Sequence, residues 1–287
     1  ASGLRLEPDV LPSGADTFIE INASDANFQQ GQTQVGFGTS DVTVRRVWVF
    51  SPTRLLVEVS VAPDAPEATT NVTVTTGLHR IVQPQAFHIR GERRLSLGIP
   101  RPSGSDIIAP GGLVAVPVLN SSAPLSDVMV TVGGRQAAVT EVTDNQVTFL
   151  VPADFGTGLA VVRAHVGSEE ALPALILVEP PLPVIASVFK PTDTTFSVLR
   201  ALSPGDSLAL LVFNLAPGRS IPDRSRIRVL AGGVEHEVLL ILPAPNQFNA
   251  HIVHVTLDPS VPLDQPLALQ IVVDGRASPV FSLQLGS

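Results

Sequence analysis

The chain has 287 residues, enough for two or three domains of ordinary size, and its composition excludes several classes of function. It contains no cysteine, which excludes zinc fingers, iron–sulfur sites, disulfide frameworks and thiol nucleophiles. Lysine and arginine number 18 against 26 aspartate and glutamate residues, a formal net charge of −8, and no third of the chain is basic. The sequence therefore predicts no nucleic-acid partner.

The other features of the sequence favour a secreted protein whose surface binds other copies or partners. Only 15% of the residues are charged, whereas soluble domains usually carry roughly 25%, and a surface short of charge favours contacts with other copies or partners. No apolar stretch of about 20 residues occurs, so no membrane span is predicted. The chain starts at Ala1 without an apolar leader, as secreted proteins do after signal cleavage. We expect an extracellular or cell-surface location, and the preference for arginine over lysine indicates a GC-rich bacterial genome.

Short runs of alternating valine, threonine and other apolar residues indicate strands, while 26 prolines and 22 glycines leave few windows for a helix. The first third contains such runs at 11–22, 33–38, 51–61 and 70–77. The middle third repeats the same succession at 109–120, 128–134, 143–152 and 158–167, and the last third repeats it at 203–214, 227–233, 244–259 and 267–275. A period of about a hundred residues is the size of an immunoglobulin-like sandwich. The prediction is an all-β fold of three tandem immunoglobulin-like β-sandwich domains.

Two polar or proline-rich breaks divide the repeats. RGERRLS (90–96) follows the first unit and EPPLPV (179–184) follows the second. The predicted domains are therefore 1–94, 95–180 and 181–287. The third unit also carries an insert, LAPGRSIPDRS (215–225), which we expect to form a surface loop.

The strand motifs resemble those of a known family. LPSGADTFIEINASDANF, VGFG and VWVFSPTRLLVEVSV look like the IPT/TIG class of immunoglobulin-like domains. In the middle unit, PGGLVAV, VTVGGRQAAV, DNQVTFLVP and VVRAHVG are similar to repeats near the C-termini of large secreted bacterial proteins. The resemblance is weaker in the third unit. It implies a role in extracellular display, adhesion or assembly, or an accessory role beside an enzyme, and it provides no catalytic residue.

Candidate metal and catalytic residues do not form a convincing site. His251 and His254 are three residues apart on a predicted strand, so their side chains point to opposite faces and cannot easily share a metal ion. We interpret EHE (235–237) as a solvated strand edge. No nucleophile elbow, phosphate-binding loop or His-Glu-x-x-His motif occurs. The sequence therefore predicts no enzyme, no cofactor and no metal.

Trp48 is the candidate residue for contact with a ligand or a neighbouring domain. In RRVWVFS, alternation puts Val47 and Val49 on one face and Trp48 on the other, with Arg46 and Phe50. An exposed tryptophan can stack on a sugar, but carbohydrate modules normally display several Trp or Tyr rings, and this chain has one Trp and no Tyr. We favour a core or interdomain anchor and keep a ligand platform as the alternative.

The N-terminal segment GLRLEPDV is the candidate strand for self-assembly. Leu4 and Leu6 alternate with Arg5 and Glu7 before Pro8. The simplest interpretation is the first strand of the first domain. The alternative is that Leu4, Arg5 and Leu6 pair with the sheet edge of a neighbouring subunit.

Together these features predict a non-catalytic extracellular structural or adhesive protein. We expect its partners to be copies of itself, assembled into a fibre or layer at a bacterial surface. The alternative is a carbohydrate-binding or spacer region of a secreted enzyme, for which surface glycans would be the partners.

Overall fold

The computed structural model describes residues 3–191, 201–216 and 218–284, and it confirms the all-β prediction. Among these residues no α-helix forms, and the only helical turn is a short 3-10 segment at Arg224–Arg226. Chain contacts divide the protein into two compact units, Ala1–Pro180 and Pro181–Ser287. The predicted boundary after residue 180 falls at this division, and the predicted boundary after residue 94 falls inside the first unit.

The first sandwich has two four-stranded sheets around one core. Alternation builds it: along Asp16–Ala23 every second side chain, including Ile19 and Ile21, is buried. The sheet orders are β1-β3-β6-β5 and β2-β8-β7-β4. The strands are β1 (Leu4–Glu7), β2 (Val10–Leu11), β3 (Asp16–Ala23), β4 (Thr33–Gly36), β5 (Val42–Ser51), β6 (Arg54–Val61), β7 (Ala68–Thr76) and β8 (His79–Ile89).

The second sandwich contains a two-residue hairpin. Gly133 and Gly134 both have positive φ, which lets two residues connect β12 to β13. The first half of β13 pairs with β12 and the second half with β14, so the strand joins both sheets of the sandwich. The strands are β9 (Ser96–Leu97), β10 (Arg101–Ser103), β11 (Leu113–Leu119), β12 (Val128–Val132), β13 (Arg135–Val142), β14 (Gln146–Leu150), β15 (Gly158–Val166), β16 (Glu169–Glu170) and β17 (Ala174–Val178).

The third sandwich forms the second compact unit and has its own core. Its sheet orders are β18-β19-β23-β22 and β21-β20-β24-β25, with β26 also paired to β24. The strands are β18 (Val184–Phe189), β19 (Ser207–Phe213), β20 (Ile227–Ala231), β21 (Val234–Glu237), β22 (Leu240–Pro243), β23 (Ala250–Thr256), β24 (Leu267–Val273), β25 (Arg276–Ala277) and β26 (Phe281–Leu283).

A buried junction joins the first two sandwiches. Leu172 of the second sandwich packs into the core of the first. The fully buried Ser96 hydroxyl donates to the carbonyl of Asp16 at 2.8 Å and accepts from the Asp16 N–H at 3.2 Å. Thr17 Oγ1 donates to the Pro173 carbonyl at 2.8 Å. Because these groups are satisfied only when the two sandwiches meet in one orientation, the junction fixes that orientation.

Candidate functional site

A cleft of about 490 Å³ lies between the first two sandwiches, within the first compact unit. This volume is in the range of ligand-binding clefts. The first sandwich contributes side chains of β5 and β6, and the second contributes β15, β17 and the segment that leads from β9 towards β11. The lining residues that matter below are Arg45, Arg46, Trp48, Glu58, Asp106, Leu159, Leu175, Leu177 and Glu179.

Trp48 lies on the outer face of the first sandwich, in the wall of this cleft. Its strand β5 pairs with β6, where Trp48 is opposite Leu56 and Arg46 is opposite Glu58. The indole Nε1 donates to Glu58 Oε2 at 3.0 Å, and the Arg46 guanidinium stands 5.0 Å from the ring centroid. The ring is therefore half-buried and oriented by two charged neighbours. The structure places Trp48 beside residues of the next sandwich, and a ligand-binding role stays a prediction.

The wall of the cleft that belongs to the first sandwich carries two arginines, and the opposite wall carries two carboxylates. A β-bulge in β5, between Val44 and Arg46, leaves Arg45 without an opposed residue in β6. Arg45 Nε is buried and has no hydrogen-bond partner among the described residues, and its Nη2 reaches only the Val59 carbonyl, at 3.5 Å. Neither Arg45 nor Arg46 forms an ion pair within the described ranges. The first sandwich thus offers two cations that lack carboxylate partners.

The opposite wall is apolar with two acidic groups. Leu159 and Leu177 are half-buried there, and Asp106 and Glu179 add two carboxylates. Neither carboxylate belongs to an ion pair in the described part of the chain. This wall could not be predicted from the sequence, because its residues lie more than fifty positions from Trp48 and only the folded junction brings them together.

The N-terminal segment forms the first strand of the first sandwich. β1 pairs with β3, and Leu4 and Leu6 point into the core with 8% of their surface exposed, while Arg5 points outward. β1 ends its sheet, but the Leu4 N–H already donates to Gln83 Oε1 at 3.3 Å. Pairing with a neighbouring subunit stays a prediction for Leu4, Arg5 and Leu6. Such pairing would have to use the remaining backbone edge and Arg5, since the two leucines are occupied.

Two of the three histidines of the third sandwich, His236 and His251, are buried and hydrogen-bonded to the backbone. His251 is fully buried and its Nε2 lies 2.8 Å from the Ser220 carbonyl, whereas His254 lies on the other face of β23, where burial lowers its pKa. His236 corrects the solvated-edge interpretation of EHE. It is buried, and its Nδ1 and Nε2 contact the Val234 carbonyl and the Asp258 N–H at 2.8 and 2.9 Å. No cluster of three metal-ligating side chains occurs among residues 3–191, 201–216 and 218–284.

No helix in the described residues is long and apolar enough to cross a membrane.

No protein-family model and no curated protein sequence matches the chain. Among solved structures it is similar to the plexin A4 extracellular region (13% identity over 96% of this chain and 23% of that chain, TM-score 0.28). It is also similar to SGBP-B of the Bacteroides ovatus mixed-linkage glucan utilization locus, in complex with a mixed-linkage heptasaccharide (12%, 96%, 65%, TM-score 0.29), and to domains 4–9 of the surface layer protein SbsC (12%, 99%, 49%, TM-score 0.28). The chain spans less than two thirds of the length of these proteins. At such TM-scores the fold rests on the strand pairing described above.

Proposed function

We propose that this protein is a non-catalytic structural or adhesive protein of a bacterial cell surface, with IPT/TIG-type immunoglobulin-like domains, that assembles with copies of itself into a fibre or layer. The observation that carries the proposal is an apolar stripe on the third sandwich. Leu240 and Leu242 share the exposed face of the terminal strand β22 and are 46% and 41% exposed, and Leu239, just before the strand, is 52% exposed. Neighbouring exposed apolar side chains of this kind are typical of a contact site.

The charge of the chain favours a second copy as the occupant of this stripe. The protein carries a net charge of −8, so two copies repel each other on average and contact is favoured where no carboxylate lies. Across the sheet from Leu240 and Leu242 lie His254 and Ile252, so no carboxylate stands in these two rows. Pro243 lacks an N–H, which weakens edge-to-edge pairing at the end of β22. Contact between copies would therefore use the leucine side chains.

Light scattering across protein concentration and negative-stain electron microscopy test this proposal. We expect particles that grow with concentration for the wild type and a monomer for the Leu240→Glu/Leu242→Glu variant. Leu78→Glu is the matched control, because Leu78 is fully exposed in a turn of the first sandwich. A wild type that remains monomeric and forms no polymer contradicts self-assembly. Equal assembly of all three proteins contradicts the leucine stripe as the contact.

A second candidate function is glycan binding in the cleft, favoured by Trp48 in its wall. Arg46 stands over the ring and competes with a sugar for that face. Trp48 is the only tryptophan, so its fluorescence reports any sugar that reaches it. A glycan array followed by fluorescence titration tests the idea, and unchanged emission with every glycan counts against it.

A further inference from the structure

Strand β17 has an uncovered backbone edge in the cleft. It pairs with β15 on one side, and the described part of the chain places no strand on the other. The N–H of Glu179, just after β17, donates to the Ile108 carbonyl at 2.8 Å, on the side away from β15. Because backbone polar groups alternate sides along a strand, those of Leu175 and Leu177 point to that same open side.

The pairing of β15 with β12 independently shows that the backbone groups of Leu175 face the cleft. The Gly133 N–H donates to the Val161 carbonyl at 2.9 Å, so Val161 turns its backbone polar groups towards β12. Val161 is the residue opposite Leu175. In an antiparallel pair, two opposed residues either exchange hydrogen bonds or both face outward. Leu175 therefore faces away from β15, into the cleft.

The edge is bonded at both ends, whereas the backbone groups in its middle have no partner among the described residues; there Leu175 is 6% exposed and Leu177 is half-buried. The Leu172 N–H donates to the Leu95 carbonyl at 2.8 Å, and the Leu97 N–H donates to the Leu172 carbonyl at 3.0 Å. The chain then crosses to the other sheet, where β10 pairs with β11, and returns only at Ile108. Over residues 3–191, no loop or side-chain group bonds to the backbone of Leu175 or Leu177.

We propose that this open edge is a docking slot for an extended peptide strand from a separate partner protein. Two N–H and two C=O groups at strand spacing match a peptide backbone, which adds as a further strand. Between its covered ends, the stretch from Leu175 to Leu177 can pair with about three residues of the segment, within a strand that spans about 16 Å in all. The slot goes beyond the proposed self-assembly, because its occupant is another protein.

The charges of the cleft define the side chains of the segment. Arg45 and Arg46 on one wall lack carboxylate partners, and Asp106 and Glu179 on the other lack cations within the described residues. A strand with apolar residues on one face and one acidic and one basic residue on the other complements both walls. The alternation in the peptide then matches the apolar and charged sides of the slot.

Nuclear magnetic resonance of the intact chain with the peptide acetyl-Val-Glu-Val-Lys-Val-amide tests the slot. The free protein should show fast amide exchange at Leu175 and Leu177 and slow exchange at Ile176, which faces β15. Added peptide should shift and protect the Leu175 and Leu177 amides. A short exposed strand binds weakly, so we expect dissociation constants of about 0.1–1 mM.

Two matched changes identify the backbone contact. A peptide with N-methylated valines keeps its side chains but loses donors, and should bind at least about tenfold more weakly. Leu177→Pro removes an N–H that faces the slot and leaves the β15 pairing intact, and should weaken binding about fivefold to tenfold. Arg46→Gln should also weaken it, whereas Arg80→Gln, at an exposed position outside the cleft, should not.

Three results overturn the proposal. The first is the absence of shifts at Leu175 and Leu177 with peptide present at about 5 mM, well above the expected dissociation constant. The second is equal binding of the N-methylated peptide, which would exclude backbone pairing even if Leu177→Pro fails to fold. The third is protection of the same amides when protein concentration alone is raised, which would make the occupant a second copy.

Discussion

Replacing Ser96 with alanine should destabilise the first compact unit more than any exposed serine does. The Ser96 hydroxyl is fully buried and serves both the N–H and the carbonyl of Asp16. The carbonyl of the preceding Ala15 accepts from Val61, so Ala15 faces β6 and Asp16 faces away from it. In the variant both backbone groups of Asp16 lose their partner.

The expected cost follows from these two hydrogen bonds. Each buried bond contributes roughly 0.5–1.5 kcal/mol net, so the free energy of unfolding should fall by about 1–3 kcal/mol. For a unit of this size, about 1 kcal/mol corresponds to a shift in Tm of roughly 2–4 °C. We therefore expect Tm to fall by about 2–12 °C, with the slope of the denaturant curve unchanged.

Urea unfolding followed by tryptophan fluorescence is the assay, because the single tryptophan, Trp48, lies in this unit. Ser168→Ala is the control: Ser168 is exposed in the turn between β15 and β16 and forms no side-chain hydrogen bond with a described residue. If Ser96→Ala unfolds at the same urea concentration as the control, Ser96 does not hold the junction and the reasoning is refuted.

Two further predictions concern a turn and an ion pair. Gly133→Ala should destabilise the second sandwich by more than about 1–3 kcal/mol, since a Cβ at this positive φ collides with the Phe155 ring. Gly134→Ala is the control, because its Cβ meets open space and should cost only the backbone strain. Thermal unfolding compares the two variants, and equal losses of stability would contradict the collision. The hydrogen bond from Arg54 lowers the pKa of Glu20 below its ordinary value of 4.5. The ion pair should therefore stabilise the fold above pH 4.5, and this stabilisation should be lost as the pH falls through the lowered pKa. Glu20→Gln should flatten the acid limb of the curve of unfolding free energy against pH, and an unchanged limb would argue against this contribution.

The fold could be predicted where a strand buries one face. The alternation in β12 puts Val128, Val130 and Val132 on one face, and that in β14 puts Val147 and Phe149 on one face; Val128 is half-buried and the other four are buried. The alternation was not informative in β8. This strand runs from His79 to Ile89 through mixed polar residues and Pro84, so apolar residues do not recur at every second position, although the strand pairs with β7 over most of its length.

The candidate site could be predicted only in part, for a physical reason. Side-chain alternation put Trp48 and Arg46 on the same face of β5, and in the structure both residues line the cleft. The two bulges in that strand leave Arg45 and Phe50 without opposed residues; they depend on pairing with β6 and leave no mark in the sequence. The open edge at Leu175 and Leu177 is a property of the backbone. Residue type does not reveal which N–H groups of a strand lack a partner.

The junction and the open edge have the same structural origin. The chain must place Ser96 against Asp16 to join the sandwiches, and at that point Leu95 and Leu97 bond to Leu172. To complete the other sheet, the chain then leaves β17 and pairs β10 with β11. Because the segment after Leu97 crosses to the other sheet, it cannot also pair with the middle of β17. The same crossing that joins the sandwiches therefore leaves backbone groups without partners beside the apolar wall. The unpaired backbone of the proposed slot therefore follows from the junction itself, and the charged side chains of the cleft walls add its selectivity.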